Sequence, residues 1–534
     1  MTSATHTVFV ATPAGELRLP FQARDNLRDI LVAGGVLMHS NCGGNAVCGR
    51  CQVRVQESSD LPFTAGERLR LSGGQLADGV RLACQLKPES DLHVVEIRPV
   101  LQMGWRPLRD DEYGSMPFSV AGCGGAGQYG VAIDLGTTHI RLALWDMATG
   151  RRLAGKAGLN PQGSYGTDVL TRLMEAARAD EVAQDLGRLV RQAIAEALAG
   201  IAAEVGLGLR GICRVRVVGN TAMLSLLAGK NYAQLLQPEY WTQPLDCQPQ
   251  DVSFLSAAWG VDRAADIRLV SPLGGFIGSD LLAGVIATRV IEQEAGVLLI
   301  DFGTNSEMAL WDGRILHVTS AAGGPAFEGS GISCGMPGEA GAIYRVSQHG
   351  SAGFDIRVLG DAEPLGVCGS GVVDAIAWLR CNGRLDKVGR FIPRDNAGFV
   401  LHDGVQRIEL RPADIDVLQR AKAAIGAGVR WLCRKAGVRL DRVHTVYACG
   451  AFGRLLDAEH ARQIGLLPPL ASAAVKTEGN AALAGCEALL LAPEAERMRE
   501  AVVRAVRVYN LAEDADFETL FVENLYLQPM LLDQ

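Results

Sequence analysis

Residues 129–146 and 297–312 carry one pattern twice, and that repeat constrains the fold more than any other feature of the chain. The first copy is Tyr129-Gly130-Val131-Ala132-Ile133-Asp134-Leu135-Gly136-Thr137-Thr138, running on to Ala143-Leu144-Trp145-Asp146. The second is Val297-Leu298-Leu299-Ile300-Asp301-Phe302-Gly303-Thr304-Asn305-Ser306, running on to Ala309-Leu310-Trp311-Asp312. Each reads as an apolar strand, a D-x-G-T turn and a second strand. Asp312-Gly313 then signals a tight hairpin into a third strand. One D-x-G-T is weak, because Asp and Gly populate any turn. Two copies in matching context define a duplicated unit.

The chemistry of these turns is that of a phosphate clamp. Glycine permits close backbone approach, and amides with threonine hydroxyls can donate to phosphate oxygens. Gly136, Thr137 and Thr138 are the candidates in one copy; Gly303, Thr304 and Asn305 are those in the other. The aspartates can hold Mg2+ through water or position an attacking water. Asp301 and Asp280 are the candidates for the water, and Asp134 for the metal. A third glycine cluster, Gly450-Ala451-Phe452-Gly453, follows an apolar strand and can receive an adenosine through Gly450, Ala451 and Gly453. Two further segments, 274–280 and 368–374, hold small residues that would let helices cross closely between lobes, and Gly369 and Ser370 in the second are also candidate cofactor-binding residues. Gly219-Asn220-Thr221 reads either as a ligand-facing turn or as a helix cap.

The N-terminal part poses a different problem. Cys42, Cys48 and Cys51 are spaced C-x5-C-x2-C, and Cys84 follows after thirty-two intervening residues. Zinc usually draws two C-x2-C pairs, and the second pair is missing. Around these cysteines the pattern gives a hairpin over 7–20, a helix capped by Asn26, and strands near 52–56 and 94–97. Residues 100–128 lose this pattern and accumulate glycine, as a flexible linker does. The expected division is therefore 1–99, a linker over 100–128, a first segment over 129–210, and a remainder over 211–534. The stripe Leu186, Leu189, Val190, Ile194, Leu198 and Ile201 marks a core helix.

Composition excludes several classes. With a net charge of -8, nucleic acid or an acidic membrane is not the expected partner. No apolar run reaches the ~18 residues of a membrane span. Met1–Val10 carries no basic-then-apolar pattern, so no signal peptide is expected, and the thirteen cysteines read as reduced thiols and metal ligands in a cytoplasmic protein. Glu523-Asn524-Leu525-Tyr526-Leu527-Gln528 is close to an engineered protease site, but the chain continues past it and the segment reads as native.

The cysteine pattern resembles that of 2Fe–2S ferredoxins, whose plant type uses C-x4-C-x2-C with a distant fourth ligand; one extra residue in the first gap resembles the adrenodoxin-like branch. The repeat with its glycine clusters resembles the acetate and sugar kinase, Hsp70 and actin superfamily. The implied fold is multidomain α/β: a β-grasp ferredoxin-like domain, a linker, and a two-lobed RNase-H-like ATPase. The two halves in this order resemble the reductive activators of corrinoid-dependent methyltransfer proteins. That resemblance implies a 2Fe–2S cluster on Cys42, Cys48, Cys51 and Cys84, ATP with Mg2+, a corrinoid protein as partner, and an upstream electron donor. It implies ATP-driven transfer of one electron that returns Co(II) to Co(I) on that partner; a homodimer is left open. Asp91-Leu92-His93-Val94-Val95-Glu96 departs from the D-x-H-x-x-G of histidine-ligated cobalamin proteins, so the cobalt is expected on another chain. The competing readings are a 2-hydroxyacyl-CoA dehydratase-type activator, a small-molecule kinase with a redox sensor, and an electron carrier with a non-hydrolysing nucleotide-binding domain.

Overall fold

Alternating Val8, Val10, Leu19 and Phe21 point to one side of the strands β1 (His6–Thr12) and β2 (Gly15–Phe21), where all four are buried. The computed structural model describes residues 6–12, 15–22, 25–34, 36, 51–56, 62–71, 73–98, 104–119, 122–166, 168–329, 331–350, 353–394, 398–404, 407–470 and 474–532. It divides into two compact units, residues 1–104 with 161–175, and residues 105–160 with 176–534.

In the first unit, β3 (Gln52–Val55), β4 (Val80–Leu82) and β5 (Leu92–Arg98) complete a sheet of order β2-β1-β5-β3-β4. β1 runs parallel to β5, and the remaining pairs are antiparallel. Asn26 caps the helix Leu27–Ala33 by accepting from Asp29 N–H, and Leu27, Ile30 and Leu31 enter the core. This is the β-grasp arrangement. A fully buried pair braces it: Arg81 donates to both carboxylate oxygens of Glu67 at 2.8 and 3.1 Å. Burial pushes Glu67 up, but Arg81 and the amides of Thr64 and Leu82 outweigh it and hold the carboxyl below its usual range. His93 lies in β5 with its ring stacked on Phe9 at 4.7 Å, a packing place.

The second unit repeats one sheet twice. β6 (Arg106–Pro107), β7 (Tyr129–Leu135), β8 (His139–Asp146), β9 (Arg151–Leu159), β10 (Ile212–Gly219) and β11 (Asp266–Leu269) pair in the order β11-β10-β7-β8-β9-β6. The second sheet begins with β12 (Val297–Phe302), β13 (Ser306–Trp311) and β14 (Leu316–Ala321). Between its halves lie β15 (Ala342–His349), β16 (Gly353–Val358), β17 (Gly366–Val367), β18 (Phe399–Asp403) and β19 (Arg407–Leu410). β20 (Thr445–Cys449), β21 (Val475–Thr477) and β22 (Val506–Tyr509) then give the order β21-β20-β12-β13-β14-β22. Each sheet has three antiparallel strands and two parallel additions beside the first, which is the RNase-H-like plan. The helix Asp180–Val205 buries Leu186, Val190, Ile194, Leu198 and Ile201 of the expected stripe, while Leu189 is half-buried at its edge.

Two expected boundaries move. The sheet that the segment 129–210 opens continues past residue 210, because β10 pairs parallel with β7 and β11 pairs parallel with β10, which carries it to Leu269. Nor does the expected linker over 100–128 run free where it is described, over 104–119 and 122–128: β6 pairs with β9, and Tyr113, Met116 and Phe118 pack on the apolar core. Arg106 holds Glu112 at 2.6 Å, and Tyr113 bridges to Asn480. Glycine content hid these few apolar anchors.

Glu523–Gln528 is built into the second lobe. The buried Lys422 amine donates to Asn524 O and, at 2.6 Å, to Tyr526 O, while Leu527 is fully buried. Burial lowers the Lys422 amine to about 7. Lys422→Met should keep the volume and take the Lys422 donor from Asn524 O, costing about 1–3 kcal/mol, while Tyr526 O keeps Gln528 N–H at 3.0 Å. The expected result is a lower Tm with earlier proteolysis after residue 520; an unchanged melt would count against this anchoring. No helix among the described residues is long and apolar enough to cross a membrane.

Candidate functional site

Both D-x-G-T turns close on their own backbone. Gly136 N–H donates to His139 O at 3.0 Å, and Gly303 N–H to Asn305 O at 3.2 Å. Asn160 ties down the first turn through its amide on Gly136 O at 2.9 Å. Thr137 and Asn305 lie half-buried in these turns. The turns meet: Thr138 and Thr304 bring their hydroxyl oxygens to 3.4 Å from opposite lobes. Both also reach Glu328 Oε2, at 3.5 and 3.2 Å. Hydroxyls that converge in this way across a cleft are placed to share one phosphate chain.

Carboxylates gather behind the threonines. Asp134, the penultimate residue of β7, accepts from Asn480 Nδ2 at 2.6 Å, with the Arg141 guanidinium at 3.5 Å. Asp301 occupies the equivalent place in β12, but its cross-strand partner is Glu307, where Asp134 has Arg141. Asp280 stands in the first turn of the helix Ser279–Thr288. Burial, then Asp301 and Asp134, pushes Asp280 up to about 7; burial, then Asp134, pushes Asp301 up to about 6. Burial, then Asp280 and Asp301, raises Glu307 well above the carboxylate range. These four acids feel one another, and Arg141 pulls back against the rise at Asp134 and Asp301. No three His, Cys, Asp or Glu side chains among the described residues form a direct metal cage. Asp134, Asp280 and Asp301 are hard oxygen donors, the type that a divalent cation such as Mg2+ takes together with water and phosphate oxygens.

The adenosine cluster comes down on the same place. Gly450 opens the helix Gly450–Leu455 at φ 86°, and a Cβ there would sit 2.8 Å from Phe302 O and 3.0 Å from Asp301 Oδ1. Ala451 is exposed beside it, and Gly453 packs on Ala448. Gly369 and Ser370 have a supporting place instead. Ser370 is buried with its hydroxyl on Tyr344 O at 3.1 Å, and Gly369 packs against Phe327 O beneath the turn that carries Glu328. Segment 368–374 is thus not a lobe-crossing helix. The crossing pairs Ser279–Thr288 with Ala481–Leu491, where a Cβ on Gly485 would fall 1.9 Å from Ala283 O. Asn220 caps the helix Thr221–Ala228 through Ala222 N–H at 3.0 Å, which resolves that turn as a cap.

In the first unit, Cys51 and Cys84 are both buried, and Ala83 N–H donates to Cys51 O at 2.8 Å, which sets the two cysteine backbones side by side. Cys42 and Cys48 lie outside the described residues.

Residues 12–89 match the 2Fe-2S iron-sulfur cluster binding domain, residues 129–293 the RACo middle region, and residues 295–533 the C-terminal domain of RACo, the ASKHA domain. The chain belongs to the RACo family. A corrinoid activation enzyme, RamQ, of Eubacterium limosum is 29% identical over 422 residues, covering 74% of this chain and 70% of that protein. The Co(II) methylated amine-specific corrinoid protein reductase of Methanosarcina barkeri is 29% identical over 414 residues, covering 71% and 73%. A solved structure described as a reductive activator for corrinoid, iron-sulfur protein superposes over 98% of both chains with a TM-score of 0.67 and 25% identity.

For this RACo-family chain, four cleft residues escaped the sequence reading: Arg141, Glu307, Glu328 and Asn480. The repeat offered a signal for two of them, since hairpin pairing sets Arg141 and Glu307 opposite the two aspartates. Nothing in the local pattern marks Glu328 or Asn480. The crowded acids also have a cost. Asp280 titrates above its ordinary 3.8, so its stabilising effect is complete below that value and is lost as pH rises through about 7. Asp280→Asn should raise the Tm of the nucleotide-free protein at neutral pH and flatten its fall between about pH 4 and about pH 7. A Tm that drops, or an unaltered pH slope, would oppose this reading.

Proposed function

We propose that this chain is an ATP-dependent reductive activator. It delivers one electron from its own 2Fe–2S cluster to Co(II) on a separate corrinoid protein of a methyltransferase system, and so restores Co(I). The observation that carries the reading is the approach of Thr138 and Thr304 from duplicated lobes, in a chain that also holds a 2Fe–2S ferredoxin fold. The names of the relatives, which concern corrinoid activation and Co(II) corrinoid protein reduction, favour the same partner.

The residues divide the work. Cys51 and Cys84, with Cys42 and Cys48, would hold the cluster, which when bound supplies a low-potential electron taken from an upstream donor. In the second unit, the turn amides and the hydroxyls of Thr138 and Thr304 bind the nucleotide phosphates. Gly450 brings the adenosine turn against Asp301. Asp301 stands to orient the attacking water, with Asp280 as the second candidate; Asp134 faces the Mg2+ side, where the ion would offset phosphate charge. Arg141 balances Asp134 and Asp301 before nucleotide arrives.

ATP is needed for energetic reasons. Plant-type 2Fe–2S centres lie near about -400 mV, and the cobalt couple is expected lower. Each ~100 mV of gap costs about 2.3 kcal/mol per electron. A nucleotide that favours one conformation can offset this if that conformation binds one cobalt state more tightly. The test is anaerobic absorption spectroscopy of a corrinoid protein with this chain and a reductant. Co(I) should accumulate with ATP and not with a non-hydrolysable analogue; equal accumulation without ATP would falsify the coupling.

A further inference from the structure

Asn480 joins three parts of the second unit. Its side-chain oxygen accepts from Leu483 N–H at 2.8 Å and so caps the helix Ala481–Leu491. That bond fixes the orientation of the amide, because the nitrogen is then the end that faces Asp134 Oδ2, at 2.6 Å. Its neighbour Gly479 accepts from Gly450 N–H at 3.3 Å, which links this position to the adenosine turn. Its backbone carries the bridge to Tyr113, in the segment that runs back toward the N-terminal unit.

The helix it caps follows a strand of the second sheet in sequence but is fastened to the first. Glu487 is fully buried and takes both Arg152 nitrogens at 2.7 Å and Trp145 Nε1 at 2.9 Å, from β9 and β8. Gly485 lies directly on Ala283. Asn480 is therefore presented from a rigid mount. A cap alone needs only its side-chain oxygen; the donor aimed at Asp134 is surplus to that role.

We propose that Asn480 is a positioning residue for the nucleotide reaction. It holds the Asp134 carboxylate in the phosphate cleft and ties its orientation to the adenosine turn. The inference rests on the ATPase reading and extends it to a residue outside the D-x-G-T turns. A hydrogen bond to a charged group of this kind is worth about tenfold to a hundredfold in a rate when it acts in the reaction.

Asn480→Ser keeps a capping oxygen, removes the longer amide N–H that reaches Asp134 and adds no charge; Asn480→Ala removes both functions. ATP turnover, KM for ATP and Tm are measured on the full-length protein and both variants. The expected result is that Asn480→Ser melts with the wild type and keeps its KM within about threefold, while kcat falls about tenfold or more. Asn480→Ala should lose kcat to the same degree and Tm as well, since the cap is gone. If Asn480→Ser turns over ATP like an active wild type, the residue is a cap and the proposal fails alone. If the wild type itself turns over no ATP, the ATPase reading fails and takes the positioning role with it.

Discussion

Asp301→Asn is expected to lower ATP turnover by about 10²–10⁴-fold while the protein still folds and binds nucleotide. Asparagine preserves the shape of the group at the end of β12, where Asp301 faces Glu307 across the ladder and Gly450 from the adenosine side. It removes the ionisable oxygen. In the wild type that carboxyl is raised to about 6, first by burial and then by Asp134, so it is mostly ionised at neutral pH yet close enough to titration to accept a proton. The variant also removes a negative charge from a crowded set, so its nucleotide-free form should melt no lower than the wild type. Phosphate release, nucleotide affinity and Tm, measured together, separate chemistry from folding. The decisive companion is Co(I) formation with reductant and ATP. It should fall in step with phosphate release; if it continued at the wild-type rate, the nucleotide domain would be a regulator and not a driver.

Cys84→Ser is expected to have an equally large effect on the other half of the process. Serine retains the volume of a buried side chain but replaces a soft thiolate with a poor iron ligand. Cys84 stands in the turn just after β4, which the buried Glu67–Arg81 pair holds in place beside Cys51. The variant should purify with little or no bound iron, lack the reduced-cluster EPR signal and give no Co(I). ATP turnover should persist, because the ATPase lobes have their own cores in a separate compact unit. Loss of ATP turnover along with the iron would show that the two units do not work as separable modules. An intact EPR signal would remove Cys84 from the ligand set.

Much of this architecture was legible because it depends on short-range chemistry. An apolar strand followed by D-x-G-T specifies its own turn, and the second copy specifies a second sheet of the same order. The cysteine spacing is likewise local. What escaped was whatever depends on distant partners. The glycine-bearing stretch before Tyr129 gave no periodicity, yet Arg106, Tyr113 and Phe118 fasten it to the sheet and its neighbours through single contacts. Of the two segments expected at the helix crossing, 274–280 leads into the helix Ser279–Thr288 that does cross, whereas at 368–374 small residues pack against carbonyls of their own lobe; the close approach falls at Gly485 on Ala283.

By itself the sequence determined the two modules, the duplicated phosphate turns and which aspartates and threonines stand in them, since each follows from residue type at fixed spacing. Only the tertiary structure decided how they act together. It set Thr138 against Thr304, Glu307 against Asp301 and Asn480 against Asp134. Those pairs are 166, 6 and 346 residues apart, and the closest of them still depends on hairpin register. Burial then brought several like charges into one cleft, and that shared burial, which no local pattern encodes, is what raises Asp280 and Asp301 toward neutrality.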